Sequence, residues 1–269
     1  MLAHLRRERI FAELQSKGGA RLTELSKSLG VSEMTVRRDL DALQRDGLIE
    51  RVHGGAILAQ LGSEEPGFTQ KVQRQQAEKA AIGEVAAQMV KPGMAVALSA
   101  GTTTWALATR LSKVDGMTVV TNSMDVWSEL QRSNHGTTVI LTGGDWRTPS
   151  GAFVGPTADS AIRSLYFDVL FLGVHGLHPV AGLTTPNISE AETNRLLISR
   201  CRRLVVVADH TKWHTTALCT VAPLSAVDTL VTDDGLPDDA RQQVESYIGQ
   251  VLIAPVVPPG GRVAPCGTF

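Results

Sequence analysis

Two groups of residues in this chain have types and spacings suited to chemistry. The first runs Ser32-Glu33-Met34-Thr35-Val36-Arg37-Arg38-Asp39-Leu40. At a helical period Val36 and Leu40 share one side, and Ser32, Glu33, Thr35, Arg37 and Arg38 lie off it. A guanidinium takes guanine bidentately or clamps phosphate. The hydroxyls of Ser32 and Thr35, at a helix N-terminus, suit a phosphate oxygen, and Glu33 can accept from cytosine N4. Arg51 and His53 follow closely and would lie near a duplex backbone or minor groove. For an isolated Arg-Arg pair, a solvated helix face is the competing explanation.

The second group is made of small and hydroxylated residues that follow apolar runs. Ser99-Ala100-Gly101-Thr102-Thr103-Thr104 offers backbone N–H groups and hydroxyls at a strand-to-helix turn, which is what an anion needs. An ordinary connection is the alternative for that turn alone. Similar material recurs at Asn122, at Gly143-Gly144, at Gly176, and at Thr184 with Glu190. It recurs again at Asp209-His210-Thr211-Lys212, where Lys212 would supply the cation. The candidate ligand set is therefore Gly101, Thr102, Thr103, Thr104, Asn122, Gly143, Gly144, Gly176, Thr184, Glu190, Asp209 and Lys212. Trp105 and Trp146 either narrow such a pocket or pack in the core.

Positioning these groups requires two different architectures. Residues 1–58 read as three short helices and a two-stranded wing. Ile10 and Leu14 mark the first helix from Arg6 to Lys17; Leu25 and Leu29 mark the second, with Thr23 as its N-cap; Ser32 caps a third that ends near Arg45. Leu48–Val52 and Ala56–Leu58 form the wing around His53-Gly54-Gly55. Residues 59–75 read as a linker that turns helical near Gln73. From 76 to 253 apolar runs alternate with amphipathic helices. The runs are Ala95–Leu98, Thr118–Val120, Val139–Leu141, Val169–Leu172, Leu204–Ala208 and Thr229–Val231. That alternation predicts an α/β domain with a mostly parallel sheet, whose ligands bind at the carboxyl ends of its strands. Residues 254–269, rich in proline and glycine, read as a tail.

Bulk properties narrow the function class. The chain has 269 residues, 43% hydrophobic and 20% charged, with no apolar run long enough for a membrane span. Neither its first residues nor its three widely spaced cysteines suggest export or a disulfide framework, so a cytoplasmic location is expected. Net charge is −1, so nucleic-acid binding has to rest on geometry rather than on overall charge. His175/His178 and His210/His214 lack a third ligand on a predicted helix, so neither a metal nor any other cofactor is expected.

The run from Leu25 to Ala56, with Thr35-Val36-Arg37-Arg38-Asp39-Leu40 and Arg51-Val52-His53-Gly54-Gly55-Ala56 both intact, resembles the DeoR family of bacterial repressors. The glycine- and threonine-rich loops match the sensor of that family, which is similar in fold to ribose-phosphate isomerases. The resemblance implies a winged helix-turn-helix joined to a ribose-phosphate-isomerase-like domain. It implies a double-stranded DNA operator as partner, a phosphorylated sugar or polyol as effector, and a homo-oligomer. It further implies that Gly101 to Thr104 and Lys212 hold the effector phosphate, with Asp209 and Glu190 facing the rest of the sugar. One departure is Ser99, where the family usually has Asp. The competing class is a sugar-phosphate isomerase or deaminase with a fused DNA-binding head, in which Asp209 or Glu190 would be the general base. The regulator reading expects no catalysis.

Overall fold

The computed structural model describes residues 2–45, 48–52, 54–58, 67–111, 114–132, 136–146 and 148–256. The N-terminal unit comprises α1 (Ala3–Lys17), β1 (Gly19–Arg21), α2 (Leu22–Leu29), α3 (Glu33–Arg45), β2 (Ile49–Val52) and β3 (Gly55–Leu58). Ile10, Leu14, Leu25, Val36, Leu40 and Leu43 converge in a core that excludes water. The wing has three strands rather than two, in the order β1-β3-β2. A Cβ at Gly55 would lie 2.3 Å from the Ala20 carbonyl oxygen, so glycine is what lets β1 approach β3. Arg21, not Thr23, caps α2; its backbone N–H donates to the Glu24 carboxylate at 3.3 Å.

The stretch expected to be a linker holds a short helix, α4 (Phe68–Val72). The larger unit then runs α5 (Gln76–Ala87), β4 (Ala95–Leu98), α6 (Thr102–Leu111), β5 (Thr118–Thr121), α7 (Met124–Gln131), β6 (Thr138–Leu141), β7 (Asp145–Trp146) and β8 (Phe153–Val154). It continues with α8 (Pro156–Arg163), β9 (Val169–Gly173), β10 (Gly176–His178), β11 (Gly182–Thr185), α9 (Ile188–Ser199), β12 (Leu204–Val207) and β13 (Cys219–Ala222). β14 (Thr229–Asp233), α10 (Asp238–Glu245) and β15 (Gln250–Ala254) complete it.

Seven of these strands form one parallel sheet, ordered β15-β14-β12-β9-β4-β5-β6. Both of its faces are covered. Along β12, Leu204 and Val206 enter the apolar cluster on one side, and Val205 and Val207 enter the cluster on the other. This is why the strand reads as an unbroken apolar run. β15 was not anticipated. Ala254 closes it against Asp233, so the expected tail does not begin there.

A second, antiparallel sheet, β10-β11-β13, stands apart from the main one. The tip of its β10–β11 hairpin meets the N-terminal unit: Ala181 is buried within that unit's apolar cluster and Val180 packs on it. The rings of His4 and Tyr247 make a second contact between the units, edge to face at 6.3 Å.

Candidate functional site

Two surfaces carry the chemistry. On α3, Val36 and Leu40 are fully buried while Glu33, Arg37 and Arg38 are exposed. Ser32 caps the helix, its Oγ accepting from the Thr35 N–H at 3.2 Å and lying 2.9 Å from Thr35 Oγ1. Neither Arg37 nor Arg38 forms an ion pair with a described residue. Asp39 turns inward, and the Arg6 guanidinium takes it bidentately, Nε to Oδ2 at 2.5 Å and Nη2 to Oδ1 at 3.1 Å. That pairing holds Arg6 in its charged form more firmly than usual, through the hydrogen bond first. Arg6 thus braces the fold and is not available to a phosphate. Arg51 Nη1 donates to Asp41 Oδ1 at 2.7 Å, tying the wing to α3, and His53 lies outside the described residues. Met34, 61% exposed, was passed over in the sequence; its position off the Val36–Leu40 side was the available signal.

The second surface is a cavity of about 560 Å³ at the carboxyl ends of the parallel strands. Gly101, Thr102 and Thr103 line it at the N-terminus of α6, joined by Asn122, Thr184, Glu190, Asp209 and Lys212. Asn122 accepts from the Ala100 N–H at 2.9 Å and donates to the Phe153 carbonyl at 3.1 Å, which locks three loops together. Glu190 accepts from the Ser150 hydroxyl and, at 3.0 Å, from Thr185 Oγ1. Asp209 precedes a short helical turn, His210–Lys212, and accepts from the Thr211 N–H at 3.1 Å. That turn is anchored from behind by buried Asp233, which takes the His210 N–H at 2.8 Å and the ring Nδ1 at 2.6 Å.

Four expected ligand residues are not among the lining ones. Thr104 is fully buried, and its hydroxyl donates to the Gly101 carbonyl at 2.9 Å, shaping the turn from within. Gly143 and Gly144 carry the chain out of β6; Gly144 is pressed against Val154 and Ala158. Gly176 lies in β10 against the Thr215 carbonyl, and its neighbour His175 lines the cavity instead. Ser99, the departure from the family pattern, lies just before the Gly101–Thr104 turn. Its buried Oγ accepts from the Gly173 N–H at 3.0 Å and joins the ends of β4 and β9. Trp105 and Trp146 are not lining residues either. Trp105 meets Phe68 edge to face at 6.4 Å, and Trp146 stacks on Phe153.

The sequence reading missed the roof. Phe68, Lys71 and Arg74 from the α4 segment cover the cavity, together with Lys79 of α5. The roof is fastened at one end by the Phe68 N–H to the Pro149 carbonyl at 3.0 Å. At the other end the buried Lys79 ammonium donates to the carbonyls of Lys71 and Arg74, both at 2.6 Å. Burial lowers the Lys79 pKa to about 8. Asp209 opposes that shift, and Lys212, Lys71 and Arg74 add to it. Basic groups therefore crowd one side of the pocket. Their signal was the Lys71/Arg74/Lys79 spacing, hidden in a polar stretch. Among the described residues no group of three metal-ligating side chains forms.

His178, at the turn end of the β10–β11 hairpin, is buried, and its pKa falls to about 4, through burial first and then the nearby His214 and Arg7. Its Nδ1 accepts from the N–H groups of Val180 and Ala181 at 3.1 and 3.3 Å. A histidine whose folded pKa is depressed binds its proton more readily when unfolded, so stability rises with pH across the window between the two values. We expect stability to fall by about 3 kcal/mol between pH 6.5 and pH 4 from this group alone. His178→Asn, which keeps an acceptor near the Nδ1 position, should flatten that slope in thermal melts. An unchanged slope would contradict the assignment.

Comparison with known proteins agrees with this geometry. A model of the DeoR-like helix-turn-helix domain matches residues 6–60, and one of the DeoR C-terminal sensor domain matches residues 74–234. The chain is 37% identical over 246 residues to the HTH-type transcriptional regulator GlpR of Haloferax volcanii, covering 91% of this chain and 96% of that one. It is 35% identical to GolR of Listeria innocua (85% and 90% covered) and 33% identical to the transcriptional repressor AccR of Agrobacterium fabrum (86% and 89%). Among solved structures, ribose 5-phosphate isomerase A of Methanocaldococcus jannaschii aligns over 50% of this chain and 53% of its own, at 13% identity and a TM-score of 0.37. With its exposed arginine helix on a winged head and its sensor matched over most of the larger unit, the chain belongs to the DeoR family of transcriptional regulators.

Proposed function

We propose that this regulator represses a carbohydrate or polyol catabolic operon and is controlled by a phosphorylated sugar or polyol. In this reading residues 1–58 read the operator, 59–75 connect while lending Phe68, Lys71 and Arg74 to the cavity, and 76–253 form the rest of the sensor. The observation that carries the proposal is the cavity, where the N-terminus of α6 and four basic side chains, Lys71, Arg74, Lys79 and Lys212, surround one space. Hydroxyls at Thr102 and Thr103 and the helix N-terminus suit a phosphate. The carboxylates of Glu190 and Asp209 suit sugar hydroxyls, which donate to them. Both carboxylates are already held by protein donors, which supports a binding role over that of a general base. No turnover of ribose 5-phosphate or glucosamine 6-phosphate is expected. The protein acts as a homo-oligomer on symmetric half-sites in the cytoplasm.

The test is a thermal-shift screen of phosphorylated sugars and polyols against their unphosphorylated counterparts. A ligand present at 100 times its Kd stabilises the fold by about 2.7 kcal/mol and raises Tm accordingly. The rise should require the phosphate and should be lost in Lys212→Met. A rise with unphosphorylated compounds alone would overturn the proposal.

A further inference from the structure

We propose that the β10–β11 hairpin is the strut that holds the DNA-reading unit on the sensor and carries pocket occupancy to it. This rests on the cavity being the effector site. One end of the strut is in the cavity, where Thr184 and Thr185 of β11 form part of the lining. The other end is Ala181, 2% exposed and buried in the apolar cluster of the reading unit with Ile10, Phe11 and Leu14. Thr184 is only three positions along the chain from Ala181, about 10 Å of extended chain.

The strut has little slack. Gly182 adopts φ +74°, and a Cβ there would lie 2.2 Å from the Ala222 carbonyl oxygen, so β11 is clamped to β13 at the turn. The tip is closed by His178, whose Nδ1 accepts both N–H groups of Val180 and Ala181, and is tied to β13 by Thr220 Oγ1 donating to the Ala181 carbonyl at 3.1 Å. At the cavity end, Thr184 Oγ1 accepts from the Ala217 N–H at 3.1 Å. Thr185 donates to Glu190, a group expected to meet the ligand's hydroxyls. Occupancy that shifts the cavity lining therefore shifts Thr184 and Thr185 with it, and a tightly packed hairpin moves as one piece against α1 rather than deforming.

The experiment is hydrogen–deuterium exchange on the full chain, with and without saturating inorganic phosphate, for the wild type and Ala181→Asp. Every tryptophan (Trp105, Trp127, Trp146 and Trp213) lies in the sensor, so the fluorescence melt reports that unit separately. In the wild type, phosphate should change exchange several-fold in peptides spanning Ile10 to Leu14. In Ala181→Asp those peptides should exchange about tenfold faster from the start and no longer respond, while phosphate still raises the tryptophan-reported Tm. Val180→Asp, at a half-buried position, should give the same pattern if the first variant folds poorly. Wild-type exchange in the head that ignores phosphate while Tm rises overturns the strut alone. The same silence with no rise in Tm overturns it together with the effector-site reading. A head in both variants that responds like the wild type also overturns it.

Discussion

Replacing both Arg37 and Arg38 with alanine should weaken specific operator binding at least ~100-fold while leaving the fold intact, since a bidentate arginine–guanine pair discriminates by about 1–3 kcal/mol. The expectation follows from their placement: both guanidinium groups are exposed on α3, off the side that Val36 and Leu40 bury, and unpaired with described residues. The single variants separate their roles. An arginine that reads a base relaxes sequence preference when removed. One that clamps phosphate weakens all duplexes alike and lowers the salt slope by about one unit. Fluorescence anisotropy on specific and scrambled duplexes at several salt concentrations distinguishes them. Unchanged operator affinity in the double variant would remove α3 from the groove.

Asp39→Ala should destabilise the reading unit by about 2–3 kcal/mol, the largest stability effect we expect from a single charged side chain here. The carboxylate is buried at 5% exposure and receives both arms of the Arg6 fork, so its loss strands a largely covered guanidinium. Arg6→Met/Asp39→Leu should recover much of the loss, because two apolar side chains leave no buried charge behind. Circular dichroism melts read both variants. Equal stability of Asp39→Ala and the wild type would mean that the pair contributes only what an exposed ion pair does.

The Arg6–Asp39 pair also illustrates what the sequence could and could not disclose. Asp39 follows Arg38 in a run whose exposed members were legible from helical periodicity. That it turns inward, to a partner 33 residues away, is a tertiary fact with no local signature. The parallel sheet was legible because strands covered on both faces, such as β12, are apolar throughout. β15 escaped notice because a short apolar run next to Pro255 looks like the start of a tail. In the pocket, the turn before α6 and the Asp209–Lys212 segment were recognisable as strand-end loops. Gly143, Gly144 and Gly176 looked the same in sequence, yet Gly144 and Gly176 serve close backbone packing and Gly143 supplies a left-handed turn at φ +68°, because glycine marks close approach or positive φ anywhere and not only beside a ligand. The roof was missed for the opposite reason. Lys71 and Arg74 sit in a stretch whose polarity suggests solvent, and only folding turns them over the cavity.

The most direct test of the account is the affinity of the pure protein for the duplex it selects from a random-sequence pool, measured with and without the phosphorylated compound that most raises its Tm. The account predicts salt-sensitive binding much tighter than to a scrambled duplex, and a change of at least about tenfold when the compound is added. Binding that does not distinguish the two duplexes, or that the compound leaves unaltered, would contradict it.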